Sequence, residues 1–262
     1  MLLALDVGNT QTHIGIFDGD ELLESFRLAT DRTSTVDRLA GELASLLALR
    51  GHTMDEVNAA IVSSVVPTLG HEYELLSERY FGGTLRMVGP GLKTGMPILM
   101  DNPHEVGADR VVNAVAAYDR IGGACISVDF GTTINFDVVS SAGEYLGGVI
   151  APGVEISLEA LSQRAERLFK IDLVEPHHTI GKNTQDAVLA GVVYGFAGQV
   201  DAIVGRIREE LGEEAAAVAT GGLAGPIVPH CDQIDEVDEL LTLTGLRLLW
   251  ERNRDGDVTA AE

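Results

Sequence analysis

Two carboxylates stand at the ends of apolar runs, each followed by a glycine and hydroxyl side chains. Asp6 closes "LLAL" and leads into Val7, Gly8, Asn9 and Thr10; Asp129 closes "CISV" and leads into Phe130, Gly131, Thr132 and Thr133. A glycine at a strand-to-strand bend lets backbone N–H groups approach a ligand closely, and Asn or Thr side chains add donors for phosphate oxygens. A carboxylate cannot take phosphate directly, but it can hold a hard cation that does. Standing alone, D-x-G-x-T is also ordinary turn chemistry, in which Asp or Thr caps its own backbone. Here it stands twice, and a Gly-rich "ATGGLAG" further on could receive a nucleoside.

A second constellation lies in "DNPHEVGADRVVNAVAAY". Pro103 and Gly107 break the chain, and Val111, Val112, Val115 and Ala116 mark a helix with Asp109 and Arg110 in its first turn. Asp109 reads either as a capping carboxylate or as part of a polar site, and a helix N-terminus should lower its pKa. Thr184, in "GKNTQDAV", has the place of a helix N-cap. Two decoys fail. "GPGLKTG" has neither the spacing nor the Lys-Ser/Thr ending of a P-loop, and His177-His178 lacks the HExxH companion of a zinc site.

The elements that must carry these residues are repeated. "LLALDVGNTQTHIGIFDGDELL" aligns with "CISVDFGTTINFDVVSSAGEYL", setting Asp6 on Asp129, Gly8 on Gly131, Thr10 on Thr133 and, after one inserted residue, Gly19 on Gly143. Each copy predicts an antiparallel meander of three strands. Helical patterns follow in "TVDRLAGELASLLAL", "RVVNAVAAYDR" and "TQDAVLAGVVYGFAGQVDAIVGRIREEL", and short buried strands in "AAIVSSV" and "AAVATGG". Gly191, Gly195 and Gly198 fall on neighbouring turns of the long helix, where they would permit close helix approach or serve internal packing. The expectation is an α/β chain of two related domains, 1–118 and 119–250, with a fraying tail at 251–262.

Composition excludes several classes. A chain of 262 residues with 45% hydrophobic residues can bury a large core, so disorder does not lead. No basic segment precedes the first apolar run, which Asp6 ends, so secretion and membrane insertion are not expected. Cys125 and Cys231 form neither a disulfide framework nor a CxxC pair, which suits a reducing cytoplasm. A net charge of -22 repels nucleic acid and anionic lipid, and an anionic small substrate would need local help.

At "DVGNTQTHIG", "NPHEVGADR", "VDFGTTINFDVV", "GGVIAPG", "GKNT" and "TGGLAG", in that order, the sequence resembles the type III pantothenate kinases of the actin, sugar kinase and Hsp70-like ATPase superfamily, from Met1 to about Leu249. The resemblance implies two RNase H-like domains with ATP in the cleft between them, and phosphorylation of pantothenate at its primary hydroxyl, the first step towards coenzyme A. It assigns Asp109 as the base and Gly107, Ala108, Asp109 and Arg110 to the substrate, with Arg110 pairing pantothenate's carboxylate. It assigns Asp6, Val7, Gly8, Asn9, Thr10, Gln11, Thr12 and His13 to the first phosphate hairpin and Thr132 to the second. Asp129 takes the place of a ligand for a monovalent cation, potassium or ammonium, beside the Mg2+ that accompanies ATP. Thr184 would reach the pantothenate site of the other subunit, implying a homodimer with shared active sites. Two departures stand out: Met100 occupies a position often held by a tyrosine contacting substrate, and Ile134 and Asn135 replace hydroxyl residues of the second hairpin, so one phosphate contact would be missing. The alternatives are a related small-molecule kinase acting on another alcohol and an ATP-binding regulatory protein without kinase activity.

Overall fold

The structure is a computed structural model, which describes residues 1–164 and 173–254. The chain divides into two compact units: Met1–Gly95 with Asn102–Ala116 and the chain from Thr242 on, and Met96–Asp101 with Ala117–Leu241. This departs from a single cut at residue 118. The C-terminal helix belongs with the first unit, and a short stretch around Met100 belongs with the second.

The first unit is built on a five-stranded sheet in the order β3-β2-β1-β4-β5, with β1 Leu2–Val7, β2 Gln11–Asp18, β3 Glu21–Ala29, β4 Ala59–Ser64 and β5 Thr84–Met87. The expected meander is present: β1 to β3 pair antiparallel, and β4 then joins β1 in parallel. β1 is apolar up to Asp6 because both of its faces are covered. Leu3, Leu5 and Val7 face a core shared with Ile14, Ile16, Ala60 and Val62. Helix α1, Val36–Leu49, buries Val36, Leu39, Ala40, Leu43 and Leu47, a helical stripe laid on that core. Helix α2, Pro67–Leu76, adds Leu69, Tyr73 and Leu76, with Pro67 in the first turn where its missing N–H costs nothing. Two more helices, α3 (Ala108–Ile121) and α6 (Leu241–Asn253), meet closely: Thr242 Oγ1 donates to Asn113 Oδ1 at 2.7 Å, and a Cβ on Gly245 would lie 2.3 Å from the Val112 carbonyl. Leu243 packs against Gly15 on β2. Because α6 extends through Asn253, the first residues of the expected tail are helical. Residues 255–262 of that tail lie outside the described residues.

The second unit repeats the plan. Its sheet runs β10-β9-β6-β7-β8, with β6 Cys125–Phe130, β7 Thr133–Val139, β8 Tyr145–Pro152, β9 Ala216–Thr220 and β10 Glu236–Val237. Antiparallel β6-β7-β8 followed by parallel β9 on β6 matches the first sheet strand for strand. Helix α4 spans Val154–Arg164, and α5 spans Thr184–Leu211. α5 is long and apolar enough to cross a membrane by length and composition. One side of it buries Leu189, Ala190, Val193, Ala197, Val200 and Val204, the last three within the core of the second sheet. Its N-cap is Asn183, whose Oδ1 accepts the Asp186 N–H at 2.8 Å; Thr184 is the first helical residue rather than the cap. Asn and Thr cap comparably, and the more N-terminal of the two has the extended backbone a cap requires.

Candidate functional site

The two hairpins come out of equivalent places in the two sheets. Asp6 is the penultimate residue of β1, opposite His13 on β2 and beside Ser63 on β4. Asp129 is the penultimate residue of β6, opposite Asn135 on β7 and beside Thr220 on β9. Each carboxylate therefore stands between a nitrogen side chain on one neighbouring strand and a hydroxyl on the other. His13 is neutral in this setting: burial, helped by Arg27 across the sheet, lowers its pKa to about 4.

The turns differ in length. Gly8 N–H donates to the Gln11 carbonyl at 3.0 Å, whereas Gly131 N–H donates to the Thr133 carbonyl at 3.0 Å. The second turn is one residue shorter, so Gln11, not Thr10, is the counterpart of Thr133, and His13 is the counterpart of Asn135. A one-residue slip exchanges the faces of a strand. Ile134 thus points into the core and is fully buried. A hydroxyl at that position would point into the core, away from the exposed side of the turn. Asn135 shares Asp129's face, with its Oδ1 accepting from Thr133 Oγ1 at 3.0 Å.

The first hairpin presents Asn9, Thr10 and Gln11 to solvent, while Gly8 and His13 are half-buried. Val7 and Thr12 are buried on the core side, so the side chains of these two expected contacts face away from a ligand at the turn. Arg32, in the loop before α1, was invisible as a site residue in the sequence; its Nη2 donates to Asn9 Oδ1 at 3.1 Å and brings positive charge to the turn.

In the second unit, Thr132 is exposed at the turn and two glycines close on the hairpin from other motifs. A Cβ on Gly153, at the end of "GGVIAPG", would lie 2.1 Å from the Thr132 carbonyl. A Cβ on Gly221, in "TGG", would lie 2.6 Å from Asp129 Oδ1 and 2.6 Å from the Phe130 carbonyl. Both motifs therefore serve as packing surfaces for the hairpin, and the Asp129 carboxylate and the Phe130 carbonyl converge beside Gly221. Among the described residues no group of three or more His, Cys, Asp or Glu could hold a metal. Met100 lies over Gly147 of β8, with its Sδ 3.2 Å from where a Cβ would stand; its stretch is tied there by Leu99 N–H to the Tyr145 carbonyl at 2.8 Å. Thr184 is exposed at the start of α5.

Asp109 is positioned by a folded entry to α3. Asn102 caps a 3-10 turn over Pro103–Glu105, accepting from His104 N–H, and its Nδ2 donates to Glu105 Oε1 at 2.8 Å. The chain then bends at Gly107, and Asp109 Oδ1 accepts the Arg110 N–H at 2.9 Å. Gly107 leaves the space the carboxylate occupies, since a Cβ there would lie 2.5 Å from Asp109 Oδ1. The helix start alone would lower the Asp109 pKa, but the opposite is found. Burial raises it, outweighing the Arg110 N–H and guanidinium, which lower it. A carboxyl held above its usual range is a better proton acceptor once ionised.

The type III pantothenate kinase family model matches residues 2–206. A type III pantothenate kinase of Streptomyces avermitilis is 50% identical over 261 residues, covering 97% of this chain and 98% of that protein. Among solved structures, component A of the Acidaminococcus fermentans (R)-2-hydroxyglutaryl-CoA dehydratase aligns at a TM-score of 0.56 and 14% identity, covering 97% of this chain and 98% of that one. A ROK hexokinase from Thermus thermophilus aligns at 0.53 and 14%, covering 97% and 99%. At these identities the structures speak for the fold alone, two RNase H-like units of the actin-like ATPase and sugar kinase class. The duplicated 3-2-1-4-5 sheets, the paired Asp-x-Gly hairpins and the sequence match together show that the chain belongs to the type III pantothenate kinase family.

Proposed function

We propose that this chain transfers the γ-phosphoryl group of ATP to the primary hydroxyl of pantothenate, opening coenzyme A synthesis in the cytoplasm. The observation that carries the reading is Asp109, half-buried behind Gly107 at the start of α3, with its pKa held up by burial. In the proposed role Asp109 orients the pantothenate hydroxyl and takes its proton as the bond to phosphorus forms. Phosphoryl transfer through a loose transition state asks chiefly for such orientation and for charge stabilisation. Arg110, next along the helix, pairs pantothenate's carboxylate. Backbone N–H groups of the turns at Asn9–Thr10 and Thr132 take ATP phosphate oxygens, with Arg32 supplying charge in a chain of net charge -22.

A divalent cation accompanies ATP in this reading, and a potassium or ammonium ion sits at Asp129. The residues suit it: a carboxylate and a carbonyl oxygen converge there, the donor type that hard cations prefer. Such an ion would lower the negative potential around the phosphates. We assign the assembly as a homodimer with Thr184 contributing across the interface. Support comes from α5, where Gly191, Gly195 and Gly198 are exposed and a Cβ on any of them would meet nothing within 4 Å among the described residues. Packing among the described residues does not account for them, and Ile150, 59% exposed on β8, adds apolar surface.

The test of the activity is turnover of pantothenate with MgATP and KCl against a panel of other small alcohols. Preference for another alcohol would move the assignment to a different substrate. The test of the shared site is complementation. Mixed Asp109→Asn and Thr184→Ala chains, after verified subunit exchange, should regain activity that neither has alone, because one site of the heterodimer keeps both residues. Absence of rescue would place Thr184 outside the site.

A further inference from the structure

Thr12 was expected to touch ATP, yet it is 5% exposed and lies on the core face of β2. Its hydroxyl is not idle. Thr12 Oγ1 lies 2.9 Å from Thr30 Oγ1, and the phenol of Tyr73, 3% exposed on α2, lines the same small cavity, where the Thr12 hydroxyl acts on it. A hydroxyl has one donor and two acceptor sites, so Thr12 can serve both neighbours at once. Thr30 N–H in turn donates to the Thr10 carbonyl at 2.9 Å, at the tip of the first hairpin. A chain of contacts thus runs from helix α2 through three hydroxyls to the turn that closes with Gly8 N–H on the Gln11 carbonyl.

The surroundings are mixed: Asp31, Ser34 and Glu42 border the same space as the leucines of the core. Leu5, Ile14, Leu39, Leu43 and Leu69 help line a cavity of about 20 Å³ beside Thr12, Thr30 and Tyr73, room for about one water. Burial pushes the Tyr73 phenol to about 12, so it stays protonated at any working pH.

We propose that Tyr73 is a positioning residue for the first phosphate hairpin, acting through Thr12 and Thr30 to hold the Thr10 end of the turn in the geometry that receives ATP phosphates. The proposal rests on the reading of that hairpin as a phosphate loop. Tyr73 itself touches no substrate; it removes freedom from the turn before ATP arrives, and preorganisation of this kind appears as affinity.

The experiment uses the full chain with Tyr73→Phe, Thr30→Val and the double variant. MgATP affinity is measured by calorimetry, hydrogen exchange is followed in the 8–12 segment without nucleotide, and steady-state kinetics are run with pantothenate. Tyr73→Phe should weaken MgATP about 3- to 10-fold, the range of one hydrogen bond, and speed exchange at the hairpin. kcat at saturating ATP should stay within about twofold, because Asp109 is untouched. Thr30→Val should act alike, and the double variant should lose little more than the worse single, since both act through Thr12. Unchanged MgATP affinity and exchange in Tyr73→Phe would overturn the proposal, as would fully additive losses. A wild-type chain that binds no MgATP would instead overturn the phosphate-loop reading beneath it.

Discussion

Gly107→Ala puts one methyl group where the structure leaves no room for it. The added Cβ would lie 2.5 Å from Asp109 Oδ1, while ordinary contact begins at 3.4 Å, so the carboxylate must retreat by nearly an ångström. Gly107 is not among the glycines with positive φ, so alanine fits the backbone and the effect falls on Asp109. Misplacing a catalytic group by about 1 Å costs about 10²-fold in rate, or about 2.7 kcal/mol of transition-state stabilisation. The poorer cap costs at most about 1 kcal/mol, a loss of about 2–4 °C in Tm. Initial rates with saturating MgATP, with a melting curve on the same sample, separate these effects. Catalysis should drop far more than stability, and combining Gly107→Ala with Asp109→Asn should add little to Asp109→Asn alone. A Gly107→Ala chain that turns over within about threefold of wild type would refute the steric link between these two residues.

Asp109→Asn should lower kcat about 10²- to 10⁴-fold without lowering the melting point. The sign follows from the raised pKa: the folded state favours the protonated acid, so wild type loses stability as pH rises through the folded value, and the Asn variant does not. The melting point of Asp109→Asn should therefore equal or exceed wild type at neutral pH and converge with it below about pH 4; a variant that melts earlier at pH 7 would make Asp109 a cap. Arg32→Ala should raise the KM for ATP about two- to fivefold, an effect that shrinks with added salt, as expected of an exposed charge; a salt-independent KM would assign Arg32 no electrostatic role. Potassium should strengthen nucleotide binding in wild type but not in Asp129→Ala, and Gly221→Ala, crowding the same carboxylate, should blunt the response. Equal affinity in potassium and in Tris for wild type would remove the ion from the account.

Much of this arrangement could be read from the chain because it is written twice. The run-bend-run pattern at Asp6 recurs at Asp129, and strand alternation with turn residues carried both meanders into the observed sheets. The bounds of α5 were legible from an apolar helical period ending at Gly212, which takes the left-handed conformation. What failed to show depends on distance or on burial. Turn length at the second hairpin hid because Gly-Thr-Thr aligns with Gly-Asn-Thr as readily without a gap, and that one residue decides whether Ile134 or Asn135 faces Asp129. The helix start near Asp109 is visible in sequence, but the burial that reverses its effect on the carboxyl comes from tertiary packing. α6 joined the first unit through Asn113, Val112 and Gly15, contacts between residues far apart in the chain. Tyr73 and Arg32 reach the hairpin the same way, with no local motif to mark them.

The most direct test is product analysis of purified chain incubated with MgATP, KCl and pantothenate, beside the same reaction with Asp109→Asn. Mass spectrometry should find pantothenate carrying one phosphoryl group at its primary hydroxyl, formed in step with ADP by wild type and nearly absent with the variant. Bound MgATP with no phosphorylated pantothenate from the wild-type chain, or equal product from Asp109→Asn, would contradict the account.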